Sequence, residues 1–588
     1  MFNKKEFTGF LIASVLTGAL LTGCGSTGAL AAGGTDASSP TAAVTTLSVK
    51  SSGEAAAAEE SSILLSDKGS SADSSAVTIS GSTITITATG TYRVSGSLSD
   101  GQIVINAPED AKVKLILDGA EISCEGSAAI YAIQADKLVL SSAEGSVNLL
   151  ASVGEYSQSD DNNVDAAVFA KCDLTLSGNG TLNISSETGH AVVSKDDLKV
   201  TGGSLILESA KKGLAGKDSV TIEDGEISIR AGTDGIAATN EEEADKGVIE
   251  LQGGTIRIVA GTDGIDAVTA LTILDGEISI QAQEKGLKAD STITVSSGSI
   301  TVDAQDDAIH SNGSVEVTDG TLILASGDDG IHADAALTIN GGSIDVTDSY
   351  EGLEANDITI NDGQISIVAS DDGLNAAGGN DGSNAFGPFG GDPFVDASGS
   401  TLTINGGTLN VNAGGDGLDA NGELLVNGGM VTVSGPTNSG NGALDCVTGA
   451  SINGGTVIAV GSSGMAANFG NSSTQGSILL NMNSAQAAGT TVSISDESGK
   501  VLASYTPEKN YQSIVISTEG LEVGGTYTVT AGSFSQTVTL TSTIYGNGMG
   551  SFGGMGGFRG MGGRPGDMQG ETSGFGGQSG MGGFVGRR

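Results

Sequence analysis

The sequence predicts an all-β chain: a parallel β-helix of about 22 residues per coil, with a small antiparallel β-module after it. Three observations carry that expectation. An Asp-Gly-Ile-like corner returns with its small residue at Ala191, Gly213, Gly235, Gly264, Gly286, Ala308, Gly330, Gly352, Gly373, Gly417 and Ala443, in steps of 22, 22, 29, 22, 22, 22, 22, 21, 44 and 26 residues. Between corners, apolar residues come in pairs two apart: Leu205/Leu207, Ile227/Ile229, Ile256/Ile258, Ile278/Ile280, Ile300/Val302, Leu322/Leu324, Ile344/Val346, Ile365/Ile367 and Leu409/Val411. No segment of the repeat is long enough for a helix, and Gly-Gly, Asp-Gly and Asn-Gly stand where the chain must turn. Side chains two apart on a strand share a face. A strand this short cannot bury that face alone, but stacking the next unit on it can. Leucine-rich repeats share the period but need a Leu/Asn framework that is absent, and the nine-residue calcium roll does not fit.

Taken in order, residues 1–24 read as an export signal: Lys4 and Lys5, an apolar run from Phe10 to Leu21, then Leu21-Thr22-Gly23-Cys24. That tetrapeptide resembles the lipobox of bacterial lipoproteins, which implies lipidation at Cys24. Residues 25–75 are rich in Ala, Ser, Thr and Gly and read as a disordered tether. The β-helix is expected over 76–460, with less regular coils at its start because a solenoid end needs capping. Interruptions at Thr239–Lys246, Ala376–Gly399 and Ser434–Gly440 read as outward loops. Residues 476–543 look like hairpin strands of the small β-module, and 546–588 are a Gly-rich tail expected to be disordered.

A net charge of −45, with only 25 Lys and Arg, excludes nucleic acid as a partner. With no further apolar run of membrane length, the N-terminal lipid is expected to be the only membrane anchor and the location extracellular, at the cell surface. Cys124, Cys172 and Cys446 are far apart and odd in number, which suits core or free thiols rather than a disulfide framework. The chain has no Trp and few aromatics, so it lacks the usual stacking platform for neutral sugars.

The acid is not evenly spread, since no Lys or Arg occurs between Lys288 and Lys500. One column stands just before the marker: Asp234, Asp263, Asp307, Asp329, Glu351, Asp372 and Asp416, with Asp306, Asp328 and Asp371 preceding three of them. A second stands two past it: Asp266, Glu354, Asp419 and Asp445, with His310, His332 and Asn375 in the same column. Stacked carboxylates ~5 Å apart repel by about 3 kcal/mol at an effective dielectric near 20. Such a column must raise its pKa values or bind metal, and oxygen-rich clusters suit calcium. A solvated acidic face is the plain alternative, and two His without Cys support give only a weak transition-metal signal. Phe386, Phe389 and Phe394 in the long interruption form a second candidate contact surface, or fold onto themselves against the rod.

The segments GTYRVSGSLSDGQIVINA, VKLILDGAEI and SAAIYAIQADKLVLSSAEGSVNLL, followed by repeated TINGG and DDGI coils, resemble the clostridial carbohydrate-binding β-helix family over roughly Ser80 to Val460. The resemblance implies a surface protein that binds cellulose and acidic sugars, carries calcium and has a fold similar to pectate lyases. It fixes no sugar-contacting residue. The reading is therefore a lipoprotein that binds an acidic polysaccharide through a calcium-loaded rod, without catalysis. Alternatives are a calcium-dependent polysaccharide lyase and a spacer or adhesin rod that binds no glycan. A lyase needs a strong base beside the metal; only Arg257, expected to point outward beside Asp263 and Asp266, could serve.

Overall fold

The computed structural model describes residues 60–158, 161–377 and 399–546. No helix occurs among them; the chain is a β-solenoid of about 15 turns followed by a small antiparallel sheet. A regular coil consists of three short strands, for example Ile265–Ala267, Ala270–Ile273 and Glu277–Ala282. Each lies parallel to its counterpart one coil on: Ile265 opposite Leu287, Leu271 opposite Ile293, Ile278 opposite Ile300. Every apolar pair that the period predicts is inside, because the pleat sends residues two apart to one face and the next coil covers them. These residues belong to one continuous core that begins at Ile63 and runs the length of the solenoid. Truncating a rung, as in Ile280→Ala, should cost about 2–5 kcal/mol, read as a lower urea midpoint. A variant that unfolds like the parent would mean the rungs do not bear load.

In the later coils a second turn, distinct from the Asp-Gly-Ile corner, has the sequence Asn-Gly-Gly or Asn-Asp-Gly. Gly342, Gly363, Gly407, Gly429 and Gly455 all have positive φ, which a side chain would strain. The asparagine two residues earlier joins a ladder. Asn361 Nδ2 donates to Asn340 Oδ1 at 2.8 Å, Asn405 to Asn361 at 2.8 Å, Asn427 to Asn405 at 2.9 Å and Asn453 to Asn427 at 3.0 Å.

Ordered structure starts earlier than expected. Glu60–Leu65 is a strand, parallel to Gly90–Leu98, with Ile63 opposite Val94 and both buried. The reading of residues 25–75 as tether is therefore corrected to end before Glu60. Only Ile63 and Leu65 turn inward there, too few to stand out from the Ala/Ser-rich composition. Cys24 and the rest of the export signal, residues 25–59, the three Phe of the long interruption and residues 547–588 lie outside the described residues.

The C-terminal module is joined to the rod by its backbone. Tyr511–Ser517 lies antiparallel between the last coil strand, Thr456–Gly461, and Ser477–Gln486. A second sheet contains Val492–Asp496, Val501–Tyr505, Thr526–Ala531 and Phe534–Thr539. Both share a core that includes Ile458 and Val460 of the rod. Tyr505 also bonds Ser434 at 2.9 Å and Glu508 bonds Asn412 at 2.8 Å, so the module reaches back over the final coils. Cys124 and Cys172 are buried and free, and Cys446 is free and half-buried.

Candidate functional site

The 22-residue step becomes a vertical register at the corner. The marker residue of each coil donates its N–H to the carbonyl of the residue before the next marker: Gly235 to Asp263, Gly264 to Lys285, Gly286 to Asp307, Ala308 to Asp329, Gly330 to Glu351, Gly352 to Asp372 and Gly373 to Asp416. One column therefore reads Lys212, Asp234, Asp263, Lys285, Asp307, Asp329, Glu351, Asp372, Asp416. Strand register gives the other: Ala237, Asp266, Lys288, His310, His332, Glu354, Asn375, Asp419. Both predicted columns exist, but they contain cations that a search for carboxylates passes over.

In the first coils each acid has a built-in counter-ion. Lys212 is ion-paired to Asp234 and holds its carboxyl below the usual range, despite burial that works the other way. Lys288 lies 3.1 Å from Asp263 and 3.4 Å from Asp266. Lys285 lies 2.7 Å from Asp307 and 2.9 Å from Asp306. Burial would raise the Asp307 carboxyl, but His310, 2.7 Å away, and Lys285 draw it down to about 2.

The next coil is transitional. His332 is buried, with Nδ1 3.0 Å from Asp329 and 2.9 Å from Glu354, and its other nitrogen 3.1 Å from Asp334. Burial opposes its charge, but those carboxylates raise it and keep the ring an imidazolium. The His310 and His332 rings stack with centroids 4.9 Å apart.

Beyond it the internal cations stop. Burial first, then Glu354 and Asp329, push the Glu351 carboxyl up to about 9, although Asn375 donates to it at 2.9 Å. Burial and the Asp416 charge push Asp372 up to about 8. Asp416 rises to about 6 through burial, with Asp445 adding and the Gly442 N–H opposing. No ion pair reaches Asp372 or Asp416 among the described residues.

Four groups bring donor atoms within 4.8 Å of one another: Asp306/Asp307/Asp328, Asp329/His332/Glu354, Asp372/Asp416/Asp419 and Asp173/Asp196/Asp197. In the first, Lys285 already sits between carboxylates; in the second, His332 does. In the third, no lysine or histidine is ion-paired to Asp372 or Asp416 among the described residues. There the side-chain oxygen of Asn375, in register with Asp419, is buried without a hydrogen-bond partner. Three carboxylates and an orphaned amide oxygen are the donor set calcium takes. The fourth group was missed by sequence reasoning. It lies in the irregular coils, where the only signal was an Asp opening each of two paired strands, Asp173–Gly178 and Asp197–Ser209.

Arg257 is a correction. It is outward and half exposed, but its ion pair is with Glu277 at 3.6 Å, on the strand face next to the corner. Asp263 and Asp266 are matched by Lys288 instead, because a turn separates Thr255–Ala260 from the corner strand Ile265–Ala267. His190, one coil before Lys212, lies 3.3 Å from Asp165.

Comparison with known proteins gives three likenesses. Residues 80–330 match a family model described as carbohydrate-binding domain-containing protein. Over 201 residues the chain is 32% identical to a carbohydrate-binding domain-containing protein of Acetivibrio thermocellus, a match that covers 34% of this chain and 64% of that relative's length. A solved structure described as the polysaccharide lyase-like protein from C. thermocellum, gadolinium derivative, is 31% identical, with 44% of this chain and 97% of that one covered and a TM-score of 0.37.

Proposed function

We propose, for a chain whose residues 80–330 belong to the carbohydrate-binding domain-containing family, that the rod is a surface lipoprotein binding an acidic polysaccharide with calcium and without catalysis. One observation carries the calcium part: Asp372 and Asp416 are half-buried acids with no ion-pair partner among the described residues, beside Asp419 and the orphaned oxygen of Asn375. These four residues would hold the ion. Bound there, calcium would supply the missing positive charge and accept further oxygen ligands from a sugar carboxylate. The protein's own part is positional, since the rung pairing Asn375 with Asp419 fixes the donors at the corner. The group lies beyond residue 330, outside the matched segment, so it is a feature of this chain's later coils. The lyase alternative loses its one candidate base, Arg257, which pairs with Glu277. Lipid attachment at Cys24 rests on the Leu-Thr-Gly-Cys sequence alone.

Electrophoresis of the mature ectodomain through gels containing polygalacturonate or a neutral polysaccharide, in calcium and in chelator, tests this reading. The expected result is retardation by polygalacturonate that weakens by about tenfold or more in chelator. Equal retardation in both would remove calcium from the account. Passage through every gel unretarded would leave a spacer rod.

A further inference from the structure

At the start of the regular repeat, the corner face is lined mainly by cations. Two residues past the marker stand Val193, Ala215 and Ala237, where later coils have Asp266, Lys288, His310, His332 and Glu354. Val193 and Ala215 line a dent in the corner face, a cleft of about 300 Å³. Its walls include Lys195, Lys212, Lys217 and His190, with one acid, Asp165, which lies 3.3 Å from His190. In a chain of net charge −45 that is a local reversal of sign.

The lysines differ in how they are held. Lys212 is fixed by Asp234 and forms a rigid part of the wall. Lys195 and Lys217 follow Ser194 and Gly216, which face each other in register, so their backbones stand roughly 4.8 Å apart. Neither is ion-paired to a buried acid among the described residues, although Asp165 lies within electrostatic reach of Lys195. Lys195 lies over the Phe169 ring at 5.3 Å, and the partner of Lys217 is Glu242, 3.8 Å away and mostly in solvent. Two lysines on adjacent coils repel, and an anion between them relieves that repulsion. An ammonium is also a point charge that suits a carboxylate without demanding one fixed geometry.

We propose, resting on the polysaccharide-binding reading above, that this cleft seats the carboxylate of an acidic sugar unit directly, with no metal between. Lys195 and Lys217 bracket the anion, and Val193 and Ala215 leave room for the ring that bears it. The rod then has two carboxylate-binding stations of different chemistry, lysine at this end and metal-dependent at Asp372, Asp416 and Asp419. They are separated by eight coil steps, on the order of 40 Å. A polyuronate lying along the corner would meet both.

The test uses the mature ectodomain in chelator, with polygalacturonate and its fully methyl-esterified form as probes, which differ only in carboxylate charge. The parent should keep a residual retention by polygalacturonate and none by the ester. Lys195→Gln/Lys217→Gln should weaken that retention by about tenfold or more, since a hydrogen bond to a charged group is worth about that factor. Ala215→Glu, which fills the dent with an anion, should abolish it. The fold accepts an acid at that offset, because Glu354 occupies it elsewhere. Retention of the double variant equal to the parent, or no parental retention in chelator, overturns the lysine station while leaving the calcium-dependent one standing. A parent that no glycan retains even in calcium removes both readings together.

Discussion

In calcium the rod should melt well above its chelator-treated form, and the gap should widen as pH rises through the range set by Asp416 (about 6), Asp372 (about 8) and Glu351 (about 9). Their folded-state pKa values are raised, so in chelator each contributes stability that is fully present below its unfolded value. That contribution is lost as pH climbs through the folded value. The metal-free rod should therefore lose several degrees of Tm between mildly acid and mildly alkaline buffer. Calcium bound as proposed would supply the missing charge and favour the ionised carboxylates, so its stabilisation should grow in the same direction and its uptake should release protons. Asp307 behaves oppositely: its carboxyl is drawn down to about 2, so its contribution is present above pH ~4 and fails only in strong acid. Asp372→Asn/Asp416→Asn should flatten the alkaline loss in chelator and shrink the calcium response. Calorimetry across pH, with and without chelator, reads both effects. A metal-free melting temperature that rises toward alkaline pH would contradict the assignment of half-buried, uncompensated acids.

Lys285→Met should destabilise the rod by about 3 kcal/mol, the cost of removing one partner of a buried ion pair. Methionine keeps most of the stem's packing, so the loss reports the missing charge. What remains is Asp307, with a side chain only 5% exposed, and Asp306 beside it. His310 still contacts Asp307 at 2.7 Å and should keep the loss from being larger. Lys285→Met/Asp307→Asn should recover most of the stability, and urea unfolding of the four proteins in the cycle measures the coupling. If the double variant is no better than the single, the lysine is a packing residue rather than the counter-ion of its coil.

The corner columns were legible because a fixed step turns sequence position into height on the rod. Once the markers are aligned, Asp372 and Asp416 must stack, and they do. The counter-ions were equally present in the sequence: Lys212, Lys285 and Lys288 occupy the same two offsets. A column defined by its acids passes over them, although only they separate the satisfied coils from the unsatisfied ones. Arg257 was misplaced for a different reason. Six residues of separation from Asp263 include a turn between two faces of the coil, and a period cannot show which way that turn points. The Asp173/Asp196/Asp197 group and the first strand, Glu60–Leu65, lie where no regular repeat yet exists to give a register.

The asparagine ladder has a consequence for how such a rod can change. Asn427 reaches Asn405 across 22 residues of chain, whereas Asn405 reaches Asn361 across 44, and the two bonds are alike at 2.9 and 2.8 Å. The amide responds only to the rung beneath it, not to how much chain was spent between. A duplicated coil would meet the same donor above and the same acceptor below, and a deleted one would leave matching ends. Length, and with it the number of carboxylate stations along the corner, can thus be altered in whole units by copying, while each substitution stays confined to its own rung.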